Sequence, residues 1–189
     1  KESQNTVLEE SPLYKDEYRT AWTEFDLKTA NKLLDKIGLT ERDDEGTRLL
    51  PDGRPAVIAI ETAGESTEQT DVLELVRDSW RRIGIKLLSK PSQREVFRQR
   101  IYSGDTIMSV WSGASNGIPT PLMSPQEFTP SSKLQFQWPQ WGHYIQSGGK
   151  SGAAPDLPSV KLLVDKNKAW FRATDVETKR GLWHEILTN

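Results

Sequence analysis

The chain has 189 residues, a nearly balanced charge of −2 and no cysteine. It is long enough for one domain or one and a half. These values exclude disulfides and thiolate chemistry, and they give no general electrostatic pull toward nucleic acid or anionic lipid. No apolar run approaches the ~20 residues that span a bilayer.

The chain opens on Lys1-Glu2-Ser3-Gln4 rather than Met, which reads as the start of a fragment. Residues 1–25 show no clean period, and Pro12, Tyr14, Tyr18 and Trp22 predict an extended lead-in that packs its aromatics. The remainder, 26–189, reads as an α/β unit. Asp26 caps a helix bearing Leu27, Ala30, Leu34 and Ile37, and Gly38 ends it. The acidic run Asp43-Asp44-Glu45-Gly46 lacks the ligand spacing and distal Glu of a calcium loop and reads as a solvated turn. Pro51-Asp52-Gly53-Arg54 predicts a hairpin turn.

Ala56 to Thr62 is short and β-branched, hence a strand. Ser66 and Gln69 form a capping box for a helix with Val72, Leu73, Val76, Trp80 and Ile83 on one face. Gly84 stops it, and Ile85 to Leu88 returns as a second strand, parallel to the first. Ser92 and Glu95 open another helix, with Val96, Phe97 and Ile101 inward and Gly104 at its end. Arg94, Arg98 and Arg100 on that helix read as a solvated basic face. Thr106 to Trp111 is then a third strand. Seven of the eleven prolines fall between Pro119 and Pro158. Residues 112–158 therefore read as a Pro/Gly/Trp-rich loop region, ordered because disorder is poor in aromatics. The terminal helices occupy 159–189. Val160, Leu163, Val164, Asn167 and Trp170 mark the first; Thr174 and Glu177 cap the second, with Val176, Trp183, Ile186 and Leu187 inward. Trp170 and Trp183 sit at core spacing.

An open α/β sheet places its ligand crevice beyond the carboxyl ends of its strands. Here that end is Trp111-Ser112-Gly113, with Asn116 close behind. An indole gives a flat apolar face and one donor, suited to a ligand with apolar and hydroxyl surfaces. Trp138 and Trp141 either line a cleft or pack the loop on itself. Gly113-Ala114-Ser115-Asn116-Gly117 also matches the G-x-S-x-G of a Ser hydrolase, with Asp165 or Asp175 and His184 as partners. Pro119 and Pro121 block the helix that such an elbow requires. No transition-metal cluster, catalytic carboxylate pair or phosphate loop is expected, and no cofactor is implied.

Several blocks together resemble an extracytoplasmic solute-binding protein of ABC importers, of the oligopeptide/dipeptide-binding type, family 5. They are Ala30 to Leu39, Arg48 and Leu49 with Pro51 to Pro55, Asp71 to Ile85 ending Trp80-Arg81-Arg82-Ile83-Gly84-Ile85, Thr106 to Trp111, and the late helices. The resemblance runs from about Leu13 to the end. It implies a type II periplasmic binding-protein fold, of which this chain is a partial C-terminal lobe with a parallel or mixed sheet flanked by helices. It also implies a periplasmic location, no catalysis, and capture of an oligopeptide or similar small solute between this lobe and a missing N-terminal lobe. The solute then passes to a membrane permease. Trp111 matches the Trp that ends the family's cleft strand, and with Ser112, Gly113, Asn116, Trp138 and Trp141 it makes up the expected ligand-binding set. In peptide-binding members the Trp is followed three positions later by an Asp that pairs with the peptide amine; here that position is Ala114. Loss of one partner of a buried charge pair costs about 2–5 kcal/mol. An oligosaccharide is therefore the alternative ligand. A stand-alone α/β interaction module is the remaining reading.

Overall fold

The structure is a computed structural model that describes residues 6–189, so the first five residues of the predicted lead-in lie outside the described residues. The chain divides into two compact units: Phe25–Trp111, and the segment ending at Glu24 together with Ser112–Asn189.

The unit Phe25–Trp111 is built on a three-stranded sheet. Its strands are β1 (Val57–Thr62), β2 (Lys86–Pro91) and β3 (Met108–Ser109), in the order β2-β1-β3. Both pairings are parallel, as the β-α-β pattern predicts. Val57 faces Lys86 in one, and Ile60 faces Met108 in the other. β3 is shorter than the predicted Thr106–Trp111 stretch. It pairs only with β1, and Ile107 is almost fully exposed beside it. The ladder continues as a hydrogen bond from Val110 N to Glu61 O, 3.0 Å.

Helix α3 (Thr67–Arg81) covers the sheet. Ser66 Oγ accepts from Gln69 N, 3.3 Å, as a capping Ser should. Ile60, Leu73 and Leu87 form the core, with Ile58, Val76, Trp80 and Val110 against it. Val72, predicted on the buried face, is exposed instead. After the helix, Gly84 takes φ +82°, and a Cβ there would meet Arg48 Cγ at 2.8 Å. Only Gly both turns the chain and admits Arg48.

Helix α4 (Arg94–Ser103) begins without a side-chain cap. The predicted Ser92 box does not form: the N-cap is Gln93, and Ser92 N donates to Thr62 O, 3.1 Å, extending the β1 ladder. Phe97 and Ile101 are buried; Val96 is exposed.

Helix α2 (Leu27–Lys36) is capped by Asp26, which accepts from Thr29 N, 2.9 Å. No residue of α2 is buried. It is held by polar anchors instead. Arg48, 2% exposed, donates from Nε to Ile83 O, 2.8 Å, and from Nη2 to Asn31 Oδ1, 2.8 Å. Its Nη1 reaches Asp35 Oδ1, 2.6 Å, and the Leu39 carbonyl. Arg42 adds a bond to Asn31 Oδ1, 3.0 Å. The predicted hairpin reduces to one isolated antiparallel bridge, Leu49 to Pro55, around the Pro51–Arg54 turn; a second, Arg42 to Arg48, closes the acidic turn before it. The acidic run closes on itself, Asp43 Oδ1 accepting from Glu45 N, 3.0 Å, and Thr47 N, 2.8 Å.

The second unit carries α1 (Asp16–Thr20), α5 (Pro139–Gln146), α6 (Pro158–Arg172) and α7 (Val176–Thr188). α1 interrupts a segment predicted to be extended. Tyr18 on it is buried, but Trp22 is 93% exposed rather than packed. The core joins Val7 and Leu13 to Trp170, Leu182 and Trp183. Trp170 Nε1 donates to Pro121 O, 2.9 Å, and Trp183 Nε1 to Met123 O, 2.9 Å. The two indoles are thus core residues, as their spacing predicts, and they also pin the proline-rich segment. α7 is capped by Asp175, which accepts from Thr178 N at 2.7 Å, one residue beyond the predicted Thr174. An Asp at this position gains from the helix dipole as well as from the hydrogen bond.

Candidate ligand site

The carboxyl end of β1 presents Glu61, then Gly64 and Glu65; the carboxyl end of β3 runs into Trp111. α4 lies alongside and supplies three arginines. Arg100 donates to Glu61 through Nε, 2.8 Å, and Nη2, 2.8 Å, while Lys90 sits 3.7 Å from the same carboxylate. Glu61 is 4% exposed, so its charge requires these partners. The Arg100 hydrogen bonds hold its carboxyl below the usual carboxylate range against the opposing effect of burial. Arg94 forks onto Glu65, with Nε 2.9 and 3.1 Å from the two oxygens and Nη2 on Oε2. That contact likewise keeps the Glu65 carboxyl low.

Trp111 is half-buried. Its ring lies 5.6 Å from that of Phe97, tilted by 33°. The Arg94 guanidinium stands 5.6 Å from the indole centroid and that of Arg98 5.9 Å. Residues 94, 97 and 98 share one face of α4 by helical spacing. One helix thus supplies an aromatic neighbour and two cations to the indole, each cation worth about 0.5–1 kcal/mol at a partly exposed site. These arginines are 33–48% exposed, so the face is solvated as read, but it also has specific partners. Arg100 and Arg94 hold Glu61 and Glu65 at the exit of β1, and Arg94 and Arg98 stand against Trp111. The signal in sequence was the i, i+4 pair Arg94/Arg98 together with Glu61 and Glu65, four apart on the preceding strand exit.

The other five candidate residues belong to the second unit. Ser112 and Gly113 are exposed. Asn116 turns inward on its own loop: its Oδ1 accepts from Ile118 N, 3.0 Å, and its Nδ2 approaches Met123 Sδ, 3.6 Å. Trp138 and Trp141 flank the first turn of α5, both half-buried. Trp138 Nε1 is buried and has no acceptor among the described residues. The loop before α5 is held by Gln135. Its Oε1 accepts from Ser131 N, 2.7 Å, and Ser132 N, 2.9 Å, and its Nε2 donates to Gln126 O, 2.7 Å. The structure thus places the candidates of this unit on two segments, 112–116 and 138–141.

The hydrolase partners are engaged elsewhere. Ser115 gives both its N–H, 3.0 Å, and its hydroxyl to the Glu127 carboxylate. His184 Nδ1 pairs with Tyr18 Oη, 2.9 Å, and Asp175 caps α7. Asp165 is exposed on α6. The chain enters no helix directly after Ser115. A nucleophile elbow needs the Ser beside a base and at a helix start, so this arrangement does not make one.

Comparison with known proteins agrees with the blocks that carry the sequence resemblance. The model of bacterial extracellular solute-binding proteins, family 5, middle region, matches residues 1–135. A solved oligopeptide-binding protein OppA is 30% identical with a TM-score of 0.82, covering 99% of this chain and 31% of its own. MelB from Agrobacterium fabrum C58, solved in complex with stachyose, is 16% identical with a TM-score of 0.72, covering 96% of this chain and 27% of its own. AppA from Bacillus subtilis, solved with a nonapeptide, is 15% identical with a TM-score of 0.62, covering 98% and 35%. The chain therefore spans about a third of the length of these structures. No curated protein gives a significant match. The small parallel sheet with flanking helices is that of a periplasmic binding-protein lobe. The chain belongs to family 5 of the bacterial extracellular solute-binding proteins.

Proposed function

We propose that this chain is part of the substrate-binding component of an ABC importer. It captures an oligopeptide or similar small solute outside the cytoplasm and delivers it to a membrane permease, without catalysis. The observation that carries the reading is the family match over residues 1–135 together with the likeness to OppA along nearly the whole chain. In this reading the chain supplies part of a C-terminal lobe, and a second lobe completes the cleft. Trp111, Ser112, Gly113 and Asn116, with Trp138 and Trp141, contact the solute.

A specific pair of observations favours an oligosaccharide as the second ligand reading. Ala114 supplies no carboxylate for a peptide amine, and Trp138 and Trp141 are half-buried indoles near one another in sequence. The flat face of an indole suits a hydroxylated ring. The test is calorimetry on the whole protein with panels of tri- to pentapeptides and of oligosaccharides. Tight binding within one panel supports the reading and chooses the class. No binding in either panel removes it.

A further inference from the structure

We propose that Arg98 selects for a solute carrying a carboxylate where it meets Trp111. The inference rests on the proposed function and concerns the same site. The three arginines of α4 are unequal. Arg94 and Arg100 each fork onto a carboxylate, Glu65 and Glu61. The Arg98 side chain makes no hydrogen bond among the described residues. Its nearest acid, Glu95, stands 3.8 Å away and is mostly exposed, while the Arg98 side chain is itself 38% exposed. A partly exposed guanidinium without a hydrogen-bonded anion keeps its terminal N–H groups available to an acceptor from outside.

The indole contact does not use up these donors. A guanidinium over a ring engages its π face, whereas its N–H groups point outward in the guanidinium plane. Arg98 is thus oriented by Trp111 and remains able to grip a carboxylate with two parallel hydrogen bonds. The charge balance points the same way. Glu65 is bonded to Arg94, which leaves Arg98 as the cation without a bonded anion beside Trp111. At Ala114 there is no carboxylate to receive an amine. A solute group arriving here meets positive charge, so an acidic solute is favoured over its neutral counterpart. The carboxylate has two possible sources, an acidic peptide or a uronic-acid sugar.

The test uses the whole protein and two matched pairs included in the panels above. The peptide pair is C-terminally amidated triglutamate and triglutamine; the sugar pair is trigalacturonate and galactotriose. Calorimetry at low and moderate salt gives each affinity. The expected result is that the acidic member of one pair binds about tenfold or more tightly than the neutral one, about 1.4 kcal/mol or more. That ratio falls toward one in Arg98→Gln and is partly kept in Arg98→Lys. The pair that shows the preference identifies the source. If the neutral member binds as tightly as the acidic one, or the preference survives Arg98→Gln, the inference is overturned while the proposed function stands. If no member of either panel binds, both fall together.

Discussion

Replacing Arg48 by Met is expected to release helix α2 from its unit. The substitution keeps an unbranched apolar stem and removes only the guanidinium. The Ile83, Leu39 and Asn31 carbonyls, Asn31 Oδ1 and Asp35 Oδ1 each lose a donor, while the Ile83 carbonyl and Asn31 Oδ1 keep Arg42. Asp35 is more than half exposed, so it rehydrates and its ion pair is worth under about 1 kcal/mol. The half-buried Leu39 carbonyl rehydrates less completely and costs about 1–2 kcal/mol, and the Ile83 carbonyl, still held by Arg42, costs under about 1 kcal/mol. The sum is about 2–3 kcal/mol. Because α2 buries no side chain, nothing apolar compensates. Hydrogen exchange read by mass spectrometry resolves this locally, which a whole-chain melt of two compact units does not. Protection of the amides in 27–36 is expected to fall roughly thirtyfold or more. Unchanged protection across α2 would refute the claim that polar anchors hold this helix.

Gly142→Ala should destabilise the second unit, although Ala is the better helix former by about 1 kcal/mol. A Cβ there would collide with the Ser132 carbonyl, so overpacking costing about 1–3 kcal/mol prevails; thermal melting that rises instead would contradict this. His184 is held below the ordinary imidazole range by burial, then by Lys15 and Arg180. The unfolded chain therefore takes up the proton first. The contribution of His184 is fully present above about pH 6.5 and is lost as pH falls through its folded value. Urea titrations at pH 7.5 and 5.5 should show a smaller acid loss in His184→Gln than in the native protein. An equal loss would show that the Tyr18–His184 contact is indifferent to charge.

Much of the architecture was legible because it follows from local chemistry. The β1-α3-β2 unit was readable from one apolar strand, one capping Ser and one Gly at a left-handed turn. Trp170 and Trp183 were readable as core from helical spacing alone. What failed to read depended on long-range partners. The N-cap of α4 falls at Gln93 rather than Ser92, whose N–H extends the β1 ladder. The helix α2 was readable from its cap and apolar spacing, but its anchors are arginines from elsewhere in the unit. The partners of the α4 arginines were not readable, because Glu61, Glu65 and Trp111 meet them only once the strands are paired. Trp111 was read as the end of the third strand, which stops at Ser109, and its Phe97 and arginine neighbours were not readable.

Calorimetry with Trp111→Ala tests the central claim most directly. The whole protein carrying this change is titrated with the tightest-binding solute of the panels, and circular dichroism checks that it remains folded. Affinity about tenfold or more below the native value is predicted, from the loss of an aromatic contact worth about 1.4 kcal/mol or more. An unchanged affinity in a folded variant would contradict the assignment of Trp111 to the solute.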